Sequence, residues 1–585
     1  MKRLFLFAVF LLAVTASGRA MAADAWGAWT NGLPTAWVEG RTCDPYVDYN
    51  CSPSKAAVLA AKSAARNGGP CDPYVNYGCL DAYLGNDPVT RFFRYYALEW
   101  EHGTAPADPK APPASRPDAV WPPTPESTPP ISFTEWPYGG TENIAKSIPN
   151  SVDSPLMVAI ANTSLGKSLS DSHIQVYGWV NGGGNISTNT VRPGGNAPAA
   201  YDYTPNAFQL DQFVVYFERV ADEVQNDHFD WGFRVSNLYG ENYRYTTAYG
   251  LFSNQLLNQN AVYGDDLPMV YVDLYFPWMQ GFNFRIGRFI SVPDIEAQLA
   301  PNNYTYVHSL TYSWDNYTNT GFEGTLAITK NWILQTGLTV GSDTMPWNAG
   351  AHIPNYYVLA GNADPLYSGT TMLKDPGAVP SFTLGVRWTS DDGKDDLNFV
   401  ADAWNGGQWG YNNLQWMGMT YYHKLNDYWH LAVEVYNLHE NNVPNATNPT
   451  VQAIYAGGGT PFSPQFTPFN GPNLAQCSNM TVLTCTAETQ TFLTYLNYSP
   501  NKLNNFSLRA EWYDDMEGQR TGTATRYIDI AASWQHWLSP QIEFRPEVAF
   551  YQSLDAPAFN GNANAGIAPT KNYAIIAASD VIIHF

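Results

Sequence analysis

The stretch "FSLRAEWY" (Phe506–Tyr513) sets apolar and polar side chains in strict alternation. Successive side chains on an extended chain point to opposite faces. Phe506, Leu508, Ala510 and Trp512 therefore share one face, and Ser507, Arg509, Glu511 and Tyr513 the other. An apolar face backed by one carrying an arginine and a glutamate suits a strand with oil on one side and water on the other. "FTLGVRW" (Phe382–Trp388) behaves likewise, with Arg387 on its polar face. In "IEFRPEVAF" (Ile542–Phe550), Glu543, Arg545 and Glu547 alternate with Ile542, Phe544, Pro546, Val548 and Phe550. Charge keeps to one face in all three.

Working outward, such segments recur from about residue 174 to the end, and their separators follow a rule. "VADEVQNDH", "PWMQG", "KN" (Lys330, Asn331), "SDDGKDD", "KLNDY", "SPNKLNN" and "LSPQ" are short, and the connections between them are mostly far longer, such as 343–380 and 441–488. A β-sandwich also alternates but has no reason to take short and long connections in turn; a transmembrane barrel with short inner turns and long outer loops does. The rule predicts strands near 174–183, 208–219, 229–239, 269–276, 282–289, 320–329, 332–341 and 381–390. The remainder fall near 396–406, 414–423, 429–440, 489–498, 505–514, 526–537, 542–552 and 573–585. The count is sixteen, with "YTYVHSLTY" (Tyr304–Tyr312) assigned to a loop despite its strand-like pattern. The fold class expected is all-β: an antiparallel transmembrane β-barrel of about sixteen strands, preceded by a periplasmic segment with short helices.

Composition agrees. Of 585 residues, 45% are hydrophobic, 15% aromatic and only 14% charged, against about 25% charged in soluble domains. No apolar run of membrane-helix length follows the N-terminus, where Lys2, Arg3, "LFLFAVFLLAV" and "AMA" (Ala20–Ala22) read as a secretory signal peptide over 1–22. Export permits disulfides. The six cysteines form three pairs of equal spacing, Cys43/Cys51, Cys71/Cys79 and Cys477/Cys485; local pairing is the simplest of the connectivities six cysteines allow. A net charge of −22 spread through loops argues against nucleic acid as a partner. The chain ends "SDVIIHF", with Val581, Ile583 and Phe585 on one face. This terminal strand resembles the insertion signal of bacterial outer-membrane barrels and makes the outer membrane, with its lipid, the expected surroundings.

"FRIGRF" (Phe284–Phe289), followed by Glu296, Asn302, "YVHSLTY" and "TNTGFEG" (Thr318–Gly324), resembles the β-barrel porin type 2 (OmpL-like) family. The resemblance implies a barrel over 174–585, a constriction loop near 290–319 carrying Asp294 and Glu296, and a homotrimer. It also implies passive diffusion of small hydrophilic solutes or ions.

A barrel of sixteen strands is wide enough for an aqueous channel. Parity places Arg234, Arg285, Arg387, Arg509 and Arg545 on its inward, pore-lining face, opposed by Asp402, Glu434, Glu511, Asp529, Glu543 and Glu547. With Asp294 and Glu296 at the narrowest point, the expectation is slight cation preference. The competing expectation for each residue is an ion-paired wall position without influence on flux. Catalysis has little support: H-E-x-x-H, G-x-S-x-G, a P-loop and C-x-x-C-H are all missing from the sequence. His430 and Glu434 share a strand face but lie about 13 Å apart along it. The aspartates of "SDDGKDD" read as a solvated turn rather than a calcium site. No enzyme activity, metal or cofactor is expected. The rival from another class is an adhesin or envelope tether whose long outer loops matter more than its channel.

Residues 23–173 lack the strand rhythm. "CDPYVDYNC" (Cys43–Cys51) and "CDPYVNYGC" (Cys71–Cys79) repeat one cysteine loop, each followed by a helical pattern, making 23–103 a duplicated, disulfide-stapled unit. Closing so short a loop stabilises by about 2–3 kcal/mol. Ten prolines between Pro106 and Pro130 mark 104–173 as a semi-rigid linker. Three roles stay open to the front segment: contact with peptidoglycan, plugging the lumen from below, or holding subunits together. Arg91, Arg94, Tyr95 and Trp100 on its second helix are either partner contacts or packing residues.

Overall fold

A computed structural model describes residues 79–99 and 154–585, except 224, 226, 258, 292–293, 349–351, 355–371, 375–377, 393, 406–413, 427, 457–473, 502–503, 540 and 563–564. The stretch read as a signal peptide, the first cysteine loop, residues 71–78 of the second, Trp100 and the proline-rich stretch lie outside the described residues.

Four short helices come first: α1 (Leu80–Leu84), α2 (Pro88–Glu99), α3 (Pro155–Ile160) and α4 (Ser164–Asp171). Each of the last three starts where an oxygen-bearing side chain meets an unpaired N–H. Asp87 accepts from the Thr90 amide at 2.8 Å ahead of Pro88, Ser154 from Met157, and Thr163 from Gly166. Leu80, Leu84, Tyr95, Leu98 and Val158 pack together. Arg91, buried, donates to the Val158 and Gly85 carbonyls and to Asp81, and Arg94 to the Tyr83 carbonyl. Arg91 and Tyr95 thus serve packing among the helices. Cys79 is disulfide-bonded, to a partner outside the described residues.

The strands are β1 (Gln175–Ser187), β2 (Phe208–Arg219), β3 (Asp230–Gly240), β4 (Gly264–Phe276), β5 (Phe282–Ile290), β6 (Thr318–Ala327), β7 (Trp332–Ser342), β8 (His352–Pro354), β9 (Met372–Lys374), β10 (Ser381–Thr389), β11 (Asp395–Trp404), β12 (Gln415–Lys424), β13 (Trp429–Pro444), β14 (Thr484–Asn501), β15 (Asn504–Asp515), β16 (Thr525–Ser539), β17 (Ile542–Ser553) and β18 (Tyr573–His584). All but β8 and β9, which form a separate hairpin, close into one antiparallel barrel in which β1 pairs with β18. That gives sixteen barrel strands, each overlapping a segment read from the sequence. Tyr304–Tyr312 lies outside the wall, as read, and its end enters a short helix, Leu310–Ser313.

Along β15 the pleat is the one the sequence dictates: Asn505, Ser507, Arg509, Glu511 and Tyr513 are buried, while Phe506 and Leu508 are exposed. Outward rings stack near the short turns, in the runs Phe229–Phe276–Trp278–Phe282–Phe284–Phe322 and Trp429–Tyr498–Phe506–Trp534. This is an aromatic belt where ring bodies meet the lipid boundary. Within β5 the alternation breaks. Gly287 adopts φ +143°, and a Cβ there would lie 2.2 Å from the Val270 carbonyl oxygen. Only glycine tolerates both, and Arg285 and Arg288, three residues apart, are consequently both buried.

Candidate functional site

Neighbouring strands bring opposite charges together on the inward face. Arg234 Nε meets Glu218 at 2.6 Å and Arg285 Nε meets Asp273 at 2.8 Å, each pair sitting directly opposite in register. Arg387 Nε lies 2.7 Å from Asp396, Arg509 Nε 2.6 Å from Asp529, and Arg545 Nε 3.1 Å from Asp580. The guanidinium of Arg285 also lies 3.8 Å above the Tyr271 ring. All eleven residues that parity placed on the inward face are on the buried face of the wall. Parity reading missed their partners Glu218, Asp273, Asp396 and Asp580, although the same alternation marks them. It also missed Arg288, which binds Asp266 at 2.8 Å and whose only signal was a glycine inside a strand.

The connection between β5 and β6 runs through the barrel rather than over its rim. It leaves the wall at β5 and bonds to the opposite side. The Ile295 amide donates to Glu434 at 2.9 Å, Val307 to Glu547 at 3.1 Å, and Leu310 and Thr311 both to Glu511, the Leu310 bond being 2.9 Å. Arg545 donates to the Ala300 and Asn303 carbonyls at 2.8 and 3.0 Å. Arg509 donates to the Val307 carbonyl and to the Tyr551 hydroxyl. Asp402 accepts from Asn316 at 2.6 Å and from Asn319, and Gln212 on β2 donates to the Gln298 carbonyl at 3.0 Å. Glu511 thereby satisfies the free N–H groups that begin the Leu310–Ser313 helix.

Asp294 and Glu296 sit on this connection but differ. Glu296 is buried, accepting from the Ser309 amide at 3.0 Å and from the Tyr495 hydroxyl, with Arg509 4.0 Å away. Asp294 is half-buried. Burial holds its carboxyl well above the usual carboxylate range, and the charge of Asp315 pushes the same way. Asp315 is itself raised by burial and then by the charge of Glu434. Glu543 lies beside Arg545 at 3.9 Å.

Two further outer connections, 188–207 and 241–263, also turn inward, which the sequence reading did not foresee. Tyr201 stacks on Tyr245 at 4.5 Å and on His308 at 3.6 Å between ring centroids. Its hydroxyl donates to Gln298 at 2.9 Å, and Trp314 Nε1 donates to the Pro198 carbonyl at 3.2 Å. The tyrosines of "NAPAAYDYTPN" and "ENYRYTTAY" were the available signal. His430 and Glu434 meet different residues of the crossing connection, Glu434 the Ile295 amide and His430 the Tyr304 hydroxyl at 3.1 Å. The aspartates of "SDDGKDD" are divided among Lys330, Lys394, His423 and Arg387. Cys477 and Cys485 are bonded to each other, Cα atoms 6.1 Å apart, pinning the outer connection before β14.

A closed barrel with lipid-compatible rings outside, paired charges inside and an inward-folded connection after its fifth strand defines a bacterial outer-membrane porin fold. Residues 173–585 match the family described as "Putative beta-barrel porin-2, OmpL-like", and the chain belongs to that family. No curated protein matches the sequence. Among solved structures it is similar to an anion-selective porin from Comamonas acidovorans (8% identity, 70% of this chain and 99% of that one, TM-score 0.39). It is also similar to the outer membrane channel DcaP of Acinetobacter baumannii (8%, 70% and 97%, 0.41) and to OccD3 of Pseudomonas aeruginosa (9%, 70% and 91%, 0.33).

Proposed function

We propose that the barrel is a passive diffusion channel for small hydrophilic solutes or ions, with slight cation preference. The observation that carries this is the charge balance of the interior. Each of the five inward arginines read from the sequence meets a carboxylate on an adjacent strand. Asp402, Glu434 and Glu511 are left over with no ion pair among the described residues. Where these acids and the neighbouring Asp294 meet water and ionise, they make the path negative, which favours cations. The reversal potential of purified protein in a planar bilayer under a salt gradient tests the sign. A shift toward the cation potential is expected, and a clear anion preference would refute the selectivity while leaving the channel.

The same reading takes the front segment as a fitting on the periplasmic side. Its support is the Ser154 hydroxyl, which donates to the Phe585 backbone oxygen at 3.1 Å and so fixes α3 to the end where the last strand finishes. Contact with peptidoglycan and assembly as a homotrimer belong to this proposal. Co-sedimentation with peptidoglycan and native mass in detergent check them; a soluble remainder and a monomer would rule out each in turn.

A further inference from the structure

Inward side chains on every part of the wall are dry. Arg234, Gln335, Thr383, Asn398, Glu434 and Asp529, on β3, β7, β10, β11, β13 and β16, are between 0 and 3% exposed. A wall bordering an open water column would keep such groups wet. The crossing connection, over 294–317, fills the lumen as far as the opposite wall, and 188–207 packs down on it. The two meet where Ala200 and His308 pair as an antiparallel bridge, with the Tyr201 ring between Tyr245 and His308.

We infer that these inward connections form a plug that closes the barrel at rest, and that current flows when 294–317 parts from 188–207 at the Ala200–His308 contact. This rests on the channel reading above. The two sides of the contact are held differently. The crossing connection is fixed to the wall by charge-assisted bonds from Glu434, Glu511, Glu547, Arg509 and Arg545, which are individually the stronger kind. Across the contact the bonds are neutral: the Tyr201 hydroxyl to Gln298, Trp314 Nε1 to the Pro198 carbonyl, and ring stacking. The seam between the connections is the weaker one and separates first.

The experiment is a reversible lock. Residues opposite each other in an antiparallel pair have Cα atoms about 4.5–5.5 Å apart, within disulfide reach. The full-length double variant Ala200→Cys/His308→Cys is recorded in planar bilayers after diamide and again after dithiothreitol, with wild type treated identically. The inference expects open probability to fall severalfold on oxidation and recover on reduction, with wild type unchanged. Should the double variant not fold, Tyr201→Ala replaces it and is expected to raise open probability severalfold. Equal open probability in the oxidised and reduced states, or in Tyr201→Ala and wild type, would overturn the plug while leaving the porin. Silence of wild type and every variant, correctly folded, would remove the channel reading itself.

Discussion

Two arcs of the wall use the same residue types for different work. Around β2–β5 and at β10–β11, inward arginines meet acids on the adjacent strand: Arg234 with Glu218, Arg285 with Asp273, Arg387 with Asp396. Across β13–β17 the inward charges also hold the crossing connection. Arg509 joins Asp529 at 2.6 Å to the Val307 carbonyl, and Glu511 receives two backbone amides. In the first arc the arginines pair with the wall and the crossing connection is met by neutral or acidic groups such as Gln212 and Asp402, whereas in the second arc the arginines themselves reach the connection.

The largest expected effect falls on the second arc. Arg509→Ala strips the partner from Asp529 and Glu547 in a fully buried site, a loss of about 3–5 kcal/mol, to be read from urea unfolding in lipid vesicles; single-channel conductance should rise as well. Unchanged stability would erase the contrast. The outer face supplies the next test. Ala510 lies near the middle of β15 on its lipid side, and Ala510→Arg should destabilise by about 2–4 kcal/mol. A neutral result would mean this face meets water or a protein neighbour.

On the first arc, Arg387→Ala leaves Asp396 with the Thr389 hydroxyl at 3.1 Å. The cost should be about 1–3 kcal/mol, with conductance unaltered. A conductance change as large as that of Arg509→Ala would show both arcs controlling the path. The smallest effect concerns pH. Asp294 and Asp315, both raised by burial, are neutral below their raised values and charged above them. Cation preference, measured as reversal potential, should therefore weaken as pH is lowered while still above the ordinary carboxylate range. A preference flat over that window would take these two carboxyls out of selectivity.

The wall was legible because its rule is local. A period of two in "FSLRAEWY" and turns of alternating length placed all sixteen strands, and parity put Arg509 and Glu511 inside. What Arg509 holds was not legible: Val307 is 202 residues away in sequence, and no short-range pattern encodes that meeting. Arg288 escaped because the positive φ of Gly287 interrupts the very period being counted. Tyr201 and Tyr245 escaped because their connections look like any polar outer loop until the topology folds them inward.

Single-channel recording of the purified full-length protein beside Arg509→Ala decides whether this barrel conducts by a path its crossing connection restricts. Discrete current steps are expected from both, larger in the variant. Correctly folded barrels that pass no current, or steps of one size whether or not Arg509 is present, would contradict that expectation.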